Sequence, residues 1–316
     1  MQKLILAGLI LMSTGGAWAD SAELAQALQN VRTNCSGISE AMAKMKTMAG
    51  INTAVTGVGA LTGGVALGAG MAKAKTDEAF DELLEQLNKD LIAQGNTNNE
   101  EVIEINEIQQ FYTEYNASKN NLGAEQERNS VIAELNRLYE KSKKLGNVRT
   151  GTLAASTVTN IAGAAIAGTN KIDEDFAAKI GACAGSVKAL TNAKMVAAVE
   201  GSASPEQVTK ADKIISACGQ WDTVDLTSIN KRATGAAVSS GIGAGLGLAG
   251  TVTSAMANTD ETRAGDAQKE KNLNTAANVL AGGTAAASLT STIFNATQIA
   301  AIKRAAVVAD ECEGAL

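Results

Sequence analysis

Apolar residues along this chain recur three and four residues apart, the spacing that places side chains on one face of an α-helix. No stretch shows the alternation of apolar and polar positions that is typical of a half-buried strand. We therefore predict an all-α fold, built of antiparallel helical hairpins that pack as a bundle. One of the clearest apolar stripes joins Phe80, Leu84, Leu87 and Leu91.

Four long windows of the chain carry no charged residue: 47–72, 150–170, 233–259 and 272–302. Each window is rich in Gly, Ala, Thr and Ser and contains few large side chains. Each is also long enough to cross a membrane as a helix, since about 20 residues suffice.

Small residues inside these windows recur every four residues, so each predicted helix has a face almost free of side chains. Such faces let two backbones approach closely and gain dispersion and weak Cα–H···O contacts. Because glycine costs a helix about 1 kcal/mol relative to alanine, these helices need neighbours to hold them. We predict glycine-zipper-like helix packing through Gly64, Gly68, Gly151, Gly163, Gly241, Gly245 and Gly282.

The windows themselves leave open whether their helices form a packed bundle or lie in a membrane. Each large aliphatic side chain favours insertion by only about 0.3–0.6 kcal/mol, and polar residues such as Asn160 and Ser156 oppose it. We expect a bundle of small-residue helices, and membrane-inserted hairpins are the alternative.

The residues between 172 and 218 predict a helical hairpin. Ser204 is suited to cap a helix, Pro205 to occupy its first position and Gln207 to close a capping box. Both flanking helices carry an apolar stripe that includes a cysteine, Cys183 before the turn and Cys218 after it.

Four cysteines in an exported chain predict two disulfides rather than a metal site, because their spacings are wide and histidine is absent. The turn lies midway between Cys183 and Cys218, which places both at similar heights on facing stripes. We therefore expect a Cys183–Cys218 disulfide and, by elimination, a second one between Cys35 and Cys312.

The pattern divides the chain into four parts. Residues 1–19 form a signal peptide, and 20–75 hold an N-terminal helix and the first window. Residues 76–147 form amphipathic helices, with a helical hairpin or short coiled coil between 99 and 145. Residues 148–316 hold the other three windows and the disulfide-stapled hairpin at 172–218.

The N-terminus predicts export. Lys3 precedes a short apolar segment, and Ala17-Trp18-Ala19 matches a small-residue cleavage site. We place the protein in the periplasm or at the cell envelope or surface of a bacterium. The net charge of −6 and the lack of a basic cluster argue against nucleic acid as a partner.

The composition argues against catalysis. The chain has no histidine, which removes Ser-His-Asp and Cys-His machinery and most catalytic zinc sites. We predict no catalytic residue, cofactor or bound metal. The expected function is a non-enzymatic envelope scaffold or assembly component that self-associates or binds envelope proteins. The alternatives are a membrane-inserting, pore- or channel-like protein and a soluble helical binding module whose partner meets the hairpin at 99–145.

Overall fold

The computed structural model describes residues 19–93, 124–259, 262 and 267–316, with side chains described for 22–89, 130–259, 262 and 268–316. The signal peptide up to residue 18 and the first half of the predicted hairpin at 99–145 lie outside the described residues. The described chain is helical and contains no strand, which confirms the all-α prediction.

Seven α-helices and one 3-10 helix make up the described chain. In chain order they are α1 (Ala19–Cys35), α2 (Ile38–Ala93), α3 (Ala124–Thr169), α4 (Glu174–Glu200), α5 (Pro205–Cys218), a 3-10 helix (Gly219–Thr223), α6 (Leu226–Ala257) and α7 (Ala267–Ala315). Helix α2 runs without interruption through the predicted boundary at 75/76, and α3 runs through the one at 147/148.

The turn between α4 and α5 forms as the sequence predicts. Helix α4 ends at Gly201, whose φ of 64° is a left-handed conformation that glycine adopts without strain. The Ser204 hydroxyl accepts a hydrogen bond from the Gln207 amide, and the Gln207 side chain accepts one from the Ser204 amide. This capping box, with Pro205 in the first turn, satisfies the free amides that begin α5.

The chain divides into two compact units. Unit 1 comprises Met1–Ala49, Asn170–Lys231 and Thr297–Leu316, and unit 2 comprises Gly50–Thr169 and Arg232–Ala296. Each unit is therefore assembled from segments that are far apart in the sequence.

Unit 1 has a conventional apolar core and contains both disulfides. Leu24, Val31, Met42, Leu190 and Ile302 are among its fully buried side chains. The amide of Asn230 fixes the chain between α3 and α4, because its Oδ1 accepts from the Ile172 N–H and its Nδ2 donates to the Ile172 carbonyl.

The predicted disulfide pairing is wrong. Cys35 is bonded to Cys183 with a Cα–Cα distance of 4.7 Å, and Cys218 to Cys312 with a Cα–Cα distance of 4.5 Å. All four cysteines are buried.

Two features of unit 1 explain the observed pairing. Lys194 and Asp212 form an ion pair across the α4–α5 hairpin. Their register brings Cys218 level with about residue 188, roughly 7 Å along α4 from Cys183. In addition, the stripe of α4 that carries Cys183 packs on α1, where Asn34 Nδ2 also donates to Ser186 Oγ at 2.6 Å.

Unit 2 is a bundle of the window segments of α2, α3, α6 and α7. Ser142 of α3 contacts Asp77 of α2, and Ser156 of α3 contacts Gly59, so residue numbers rise on one helix as they fall on the other. The other neighbouring pairs also run antiparallel: Ser240 of α6 bonds Ser291 of α7, and Asn52 of α2 bonds Asn295 of α7. The predicted antiparallel arrangement is thereby confirmed.

Candidate functional site

The window segments of unit 2 enclose mainly polar side chains, whereas the adjoining parts of α2 and α3 pack through an apolar cluster of Phe80, Leu87, Leu135 and Leu138. All four helices contribute hydroxyl or amide groups that are at most 7% exposed. They are Asn52, Thr56, Ser156, Thr157, Asn160, Ser240, Ser254, Asn274, Thr284, Ser288, Ser291 and Asn295. Because burying an unpaired polar group costs free energy, the stability of this interior depends on how completely its polar groups are hydrogen-bonded.

A buried ion-pair cluster lies at one end of this interior. The Lys73 side chain is 0% exposed, and its Nζ donates to Asp77 Oδ2 at 2.6 Å and to Glu270 Oε1 at 2.8 Å. Asp77 also accepts a hydrogen bond from the Ser142 hydroxyl. Burial raises the pKa of the adjacent Asp81 above its ordinary value, and the negative charges of Asp77 and Glu270 raise this pKa further.

Arg149 lies one layer further in and is fully buried. Its guanidinium donates from Nε to Ser254 Oγ at 2.8 Å and from its two terminal nitrogens to Asn278 Oδ1 at 3.1 Å and Asn274 Oδ1 at 2.8 Å. These three acceptors are neutral. The Asn274 amide in turn donates to Glu270 at 3.4 Å, which links Arg149 to the ion-pair cluster.

An apolar layer follows the Arg149 layer. Ala66 of α2, Leu153 of α3 and Ala281 of α7 are all 0% exposed and form one apolar cluster. Helix α6 completes the layer with Gly250, where an added Cβ would stand 3.3 Å from Leu153 Cδ1 and 3.4 Å from Leu153 Cδ2. The Leu153 side chain therefore fills the space between three small residues.

Beyond the apolar layer, hydrogen bonds again join the helices across the interior. The Ser156 hydroxyl donates to the Gly59 carbonyl at 2.8 Å, and Asn160 Nδ2 donates to Ser288 Oγ at 2.8 Å. The Ser288 hydroxyl donates back to Asn160 Oδ1 at 3.0 Å. This reciprocal pair ties α3 directly to α7.

The last layers continue this polar network to the other end of unit 2. The hydroxyls of Ser240 and Ser291 are 2.7 Å apart, and the Thr292 hydroxyl donates to Thr56 at 3.1 Å. Asn52 Nδ2 donates to Asn295 Oδ1 at 2.9 Å. The Oδ1 atom of Asn52 is buried and has no hydrogen-bond partner among the described residues.

Close helix contacts in unit 2 depend on glycines that face this interior. An added Cβ at Gly247 would stand 2.5 Å from Thr157 Oγ1, and one at Gly243 would stand 2.9 Å from Asn160. At Gly63 the nearest atoms are backbone atoms of Ala285, at 3.0 Å. Side chains at these positions would force the helices apart.

The glycines that sequence analysis predicts for helix packing fall on both sides of the bundle. Gly163 packs inside, where an added Cβ would stand 2.6 Å from Thr56 Cγ2. An added Cβ at Gly282 would stand 3.9 Å from the methyl groups of Leu67. The other five are exposed with nothing within 4 Å of an added Cβ: Gly64, Gly68, Gly151, Gly241 and Gly245. For these five glycines, the prediction of close packing within the bundle is wrong. The windows carry small residues on both helix faces, and the opposite face of each helix lies inside the bundle.

The outer surface of unit 2 carries many large apolar side chains along its window segments. All four helices direct large aliphatic or methionine side chains outward, and Leu61 and Val279 are 72% and 70% exposed. The full set is Ile51, Val58, Leu61, Val65, Met71, Val148, Val158, Ile161, Val238, Ile242, Leu248, Val252, Met256, Val279, Leu289 and Ile293. We call these sixteen residues the apolar belt.

Two helical stretches satisfy the length and composition of a membrane span, one within Ala22–Lys89 and the other Leu226–Ala257. Length and composition alone do not separate a span from a buried core helix or a signal sequence. A core helix of a water-soluble protein is mostly buried, whereas only 33% and 28% of the residues in the two apolar windows are buried. Neither window therefore belongs to a helix that is buried on all sides.

The buried polar residues were not predicted as a group, although the pattern contains a signal for them. In the sequence, Asn160 and Ser156 count only as costs of membrane insertion, whereas inside the bundle their side chains donate hydrogen bonds to Ser288 and to the Gly59 carbonyl. In α2, Asn52, Thr56, Gly59 and Gly63 share one helical face, and Val58, Leu61 and Val65 share the opposite one. A helix whose small and polar residues oppose its large apolar residues is the pattern to look for.

The cysteines are brought together in unit 1. The sulfur atoms of Cys35, Cys218 and Cys312 lie within 4.8 Å of one another, so the two disulfides are neighbours. Because all four sulfurs are bonded in pairs, none is a thiolate that could bind a metal. The two disulfides and the apolar N-terminal segment indicate an exported protein.

No family model, curated protein or solved structure matches the chain. Its function is therefore inferred from the physical properties of its own residues.

Proposed function

We propose that this chain is an exported protein of the bacterial envelope and that unit 2 resides in a membrane as a four-helix bundle. The observation that carries the proposal is the inverted distribution of side chains in unit 2. Along the window segments, most large apolar side chains belong to the apolar belt outside, whereas the buried positions hold hydroxyl and amide groups, with the buried charges of Lys73 and Arg149 beside them. Of the functions that the sequence leaves open, this distribution favours the membrane-inserting one.

The physical reason lies in the solvent. A water-soluble bundle folds because it removes apolar surface from water, so it buries such side chains rather than exposing sixteen of them. In a bilayer, lipid covers the apolar belt. Polar groups are then paired with one another inside the protein, because the hydrocarbon core offers no water. Small residues at close helix contacts are also typical of membrane bundles.

The dimensions of the belt support the same proposal. The window segment of α2 in unit 2 spans residues 50–72, which corresponds to about 34 Å of helix, and a typical hydrocarbon core is about 30 Å thick. The corresponding segments of α3, α6 and α7 also have 20 or more residues without a charge. Charged residues return at both ends of every window.

In this proposal unit 1 is the water-soluble part of the protein. Its apolar core and two disulfides suit the periplasm or the cell surface, where disulfides persist. The protein then works as an envelope scaffold that is held in the membrane by unit 2. The proposal assigns it no catalysis.

Fractionation of cell envelopes tests the proposal. The full chain, expressed with its own N-terminus, is extracted with alkaline carbonate and then floated on a density gradient with its membranes. We expect it to stay in the pellet and to float with lipid, as a known integral membrane protein does in the same sample. Release into the supernatant together with a periplasmic marker would contradict membrane residence.

Self-association is a second candidate function, and the five outward-facing glycines favour it. Gly64 and Gly68 are four residues apart on the exposed face of α2. The preceding turns of α2 form an apolar groove with Ala285, Ala286 and Leu289 of α7. Such a spacing lets two membrane helices approach closely.

Cross-linking in detergent tests this second candidate. Gly64→Leu is expected to reduce cross-linked oligomers while leaving the thermal midpoint unchanged, since nothing surrounds its Cβ position. Gly163→Leu is the contrasting variant, because it faces Thr56 and should destabilise the bundle itself. Oligomers that persist unchanged in Gly64→Leu would exclude this face of α2 as the contact.

A further inference from the structure

The interior of unit 2 contains two polar networks that are separated by a single apolar layer. The first network joins the Lys73 cluster to Arg149, Asn274 and Ser254. The second joins Ser156, Asn160 and Ser288 and continues to Asn52 and Asn295 at the other end. Between them stand Ala66, Leu153, Gly250 and Ala281, one residue from each helix.

Leu153 is the only large side chain that is fully buried in this layer, and the partly buried Leu67 packs against its edge. The other three members are alanine or glycine, so replacing the isobutyl group of Leu153 would open the layer more than any other single change. Narrow apolar layers close ion pathways by excluding water, and polar residues above and below them carry the ion. Unit 2 has the same order of layers, with a narrow apolar layer between two polar networks.

Arg149 sets the charge next to this layer. It lies about one helical turn, roughly 6 Å, from Leu153, whereas Asp77 and Glu270 lie further toward the end of the bundle. Its hydrogen bonds go to neutral side chains. A fixed positive charge at a constriction repels cations and protons and favours anions.

An independent observation concerns the opposite end of the bundle, where one buried acceptor is unpaired. Asn52 is 1% exposed, and its Oδ1 atom has no hydrogen-bond partner among the described residues. An unpaired buried acceptor costs free energy unless a donor such as water reaches it. Asn52 belongs to the second polar network, so a water bound to this atom would join that network.

We propose that the interior of unit 2 is a pathway for small inorganic anions, with Leu153 as its gate and Arg149 as the residue that selects for negative charge. This inference rests on the membrane residence proposed above. It adds a transported class of ion and two residues with separate roles, one steric and one electrostatic.

Chloride release from vesicles tests the pathway. The full chain is reconstituted into phosphatidylcholine–phosphatidylglycerol vesicles that contain chloride and a chloride-quenched dye. Leu153→Ser is expected to raise chloride release by about tenfold or more over the unchanged protein, because a hydroxyl lets water enter the apolar layer. Leu248→Ser is the matched control, since Leu248 is 60% exposed on the outer surface and the same change there should release no additional chloride.

A second pair of variants tests the selectivity. With Leu153→Ser present, Arg149→Gln is expected to remove most of the preference for chloride over potassium, measured as a shift of the reversal potential toward zero in planar bilayers. Arg149→Lys keeps the charge and should keep the preference. Circular dichroism and co-flotation show whether each variant is folded and inserted. If Leu153→Ser does not fold, Leu153→Ala replaces it, with chloride release expected to rise in the same direction.

The outcomes separate the two proposals. Failure of the unchanged protein to co-float with vesicles overturns membrane residence and the pathway with it. Co-flotation of a folded Leu153→Ser or Leu153→Ala variant that retains chloride as the unchanged protein does overturns the pathway alone. Equal release by Leu153→Ser and Leu248→Ser, or a selectivity that is unaffected by Arg149→Gln, also contradicts it.

Discussion

At the residue scale, neighbouring glycines of α6 have opposite roles. Gly247 faces the interior, where Thr157 Oγ1 would lie 2.5 Å from an added Cβ, and Gly245 faces outward with nothing within 4 Å. Glycine therefore permits a close helix contact at one position and only lowers helix propensity at the other.

Alanine substitutions at these two positions test the distinction. Gly247→Ala is expected to lower the free energy of unfolding by about 1–3 kcal/mol, because the new methyl group displaces Thr157 and its helix. Gly245→Ala should raise it by up to about 1 kcal/mol through helix propensity. Thermal unfolding in detergent, followed by circular dichroism, measures both. Equal effects of the two substitutions would show that the two glycines do not face opposite sides.

At the element scale, each helix of unit 2 carries two faces with different surroundings. In α2 the inward face presents Asn52, Thr56 and Gly59, and the outward face presents Leu61 and Val65. The sixteen apolar side chains of the belt lie on the outward faces of these four helices. The stability of unit 2 therefore depends on whether water or lipid covers this surface.

A single charge in the apolar belt tests that sensitivity. Leu61→Lys is expected to reduce the fraction of protein that resists carbonate extraction, because a lysine near the bilayer centre costs about 2.5–3.5 kcal/mol. Val199→Lys is the control, since Val199 is 88% exposed in unit 1 and belongs to no window. In a water-soluble bundle both changes would be nearly neutral, so equal extraction of the two variants would contradict the membrane assignment.

At the scale of the whole molecule, both disulfides lie in unit 1, and each closes a long loop of the chain. Cys35–Cys183 joins residues 148 apart, and Cys218–Cys312 joins residues 94 apart. Unit 1 is assembled from three separate segments, so these bonds limit how far those segments can separate in the unfolded chain.

Peptide mapping of the unreduced protein is expected to recover peptides that join Cys35 to Cys183 and Cys218 to Cys312. Replacing Cys218 and Cys312 together by serine should destabilise unit 1 by about 2–5 kcal/mol, since the loop constraint is lost from the unfolded chain. Differential scanning calorimetry of the variant measures this loss. Recovery of a Cys183–Cys218 peptide would contradict the packing of α4 on α1.

The sequence predicts the helices, the capped turn at Ser204–Gln207 and the charge-free windows, because these depend on spacing and capping between residues that are near in the chain. It also indicated two disulfides. It did not determine the partner of Cys183, because that depends on which helix lies beside α4, and the Lys194–Asp212 register appears only in the folded unit.

Only the tertiary structure decided which face of each window is the interior. Small residues occur on both faces, so Gly163 and Gly241 look alike in the sequence, yet Gly163 meets Thr56 and Gly241 meets no atom within 4 Å. The same holds for polar residues: Arg149 and Asn160 are costs when each helix is considered alone. Hydrogen bonds from neighbouring helices compensate these costs, and such bonds exist only once four helices are packed together.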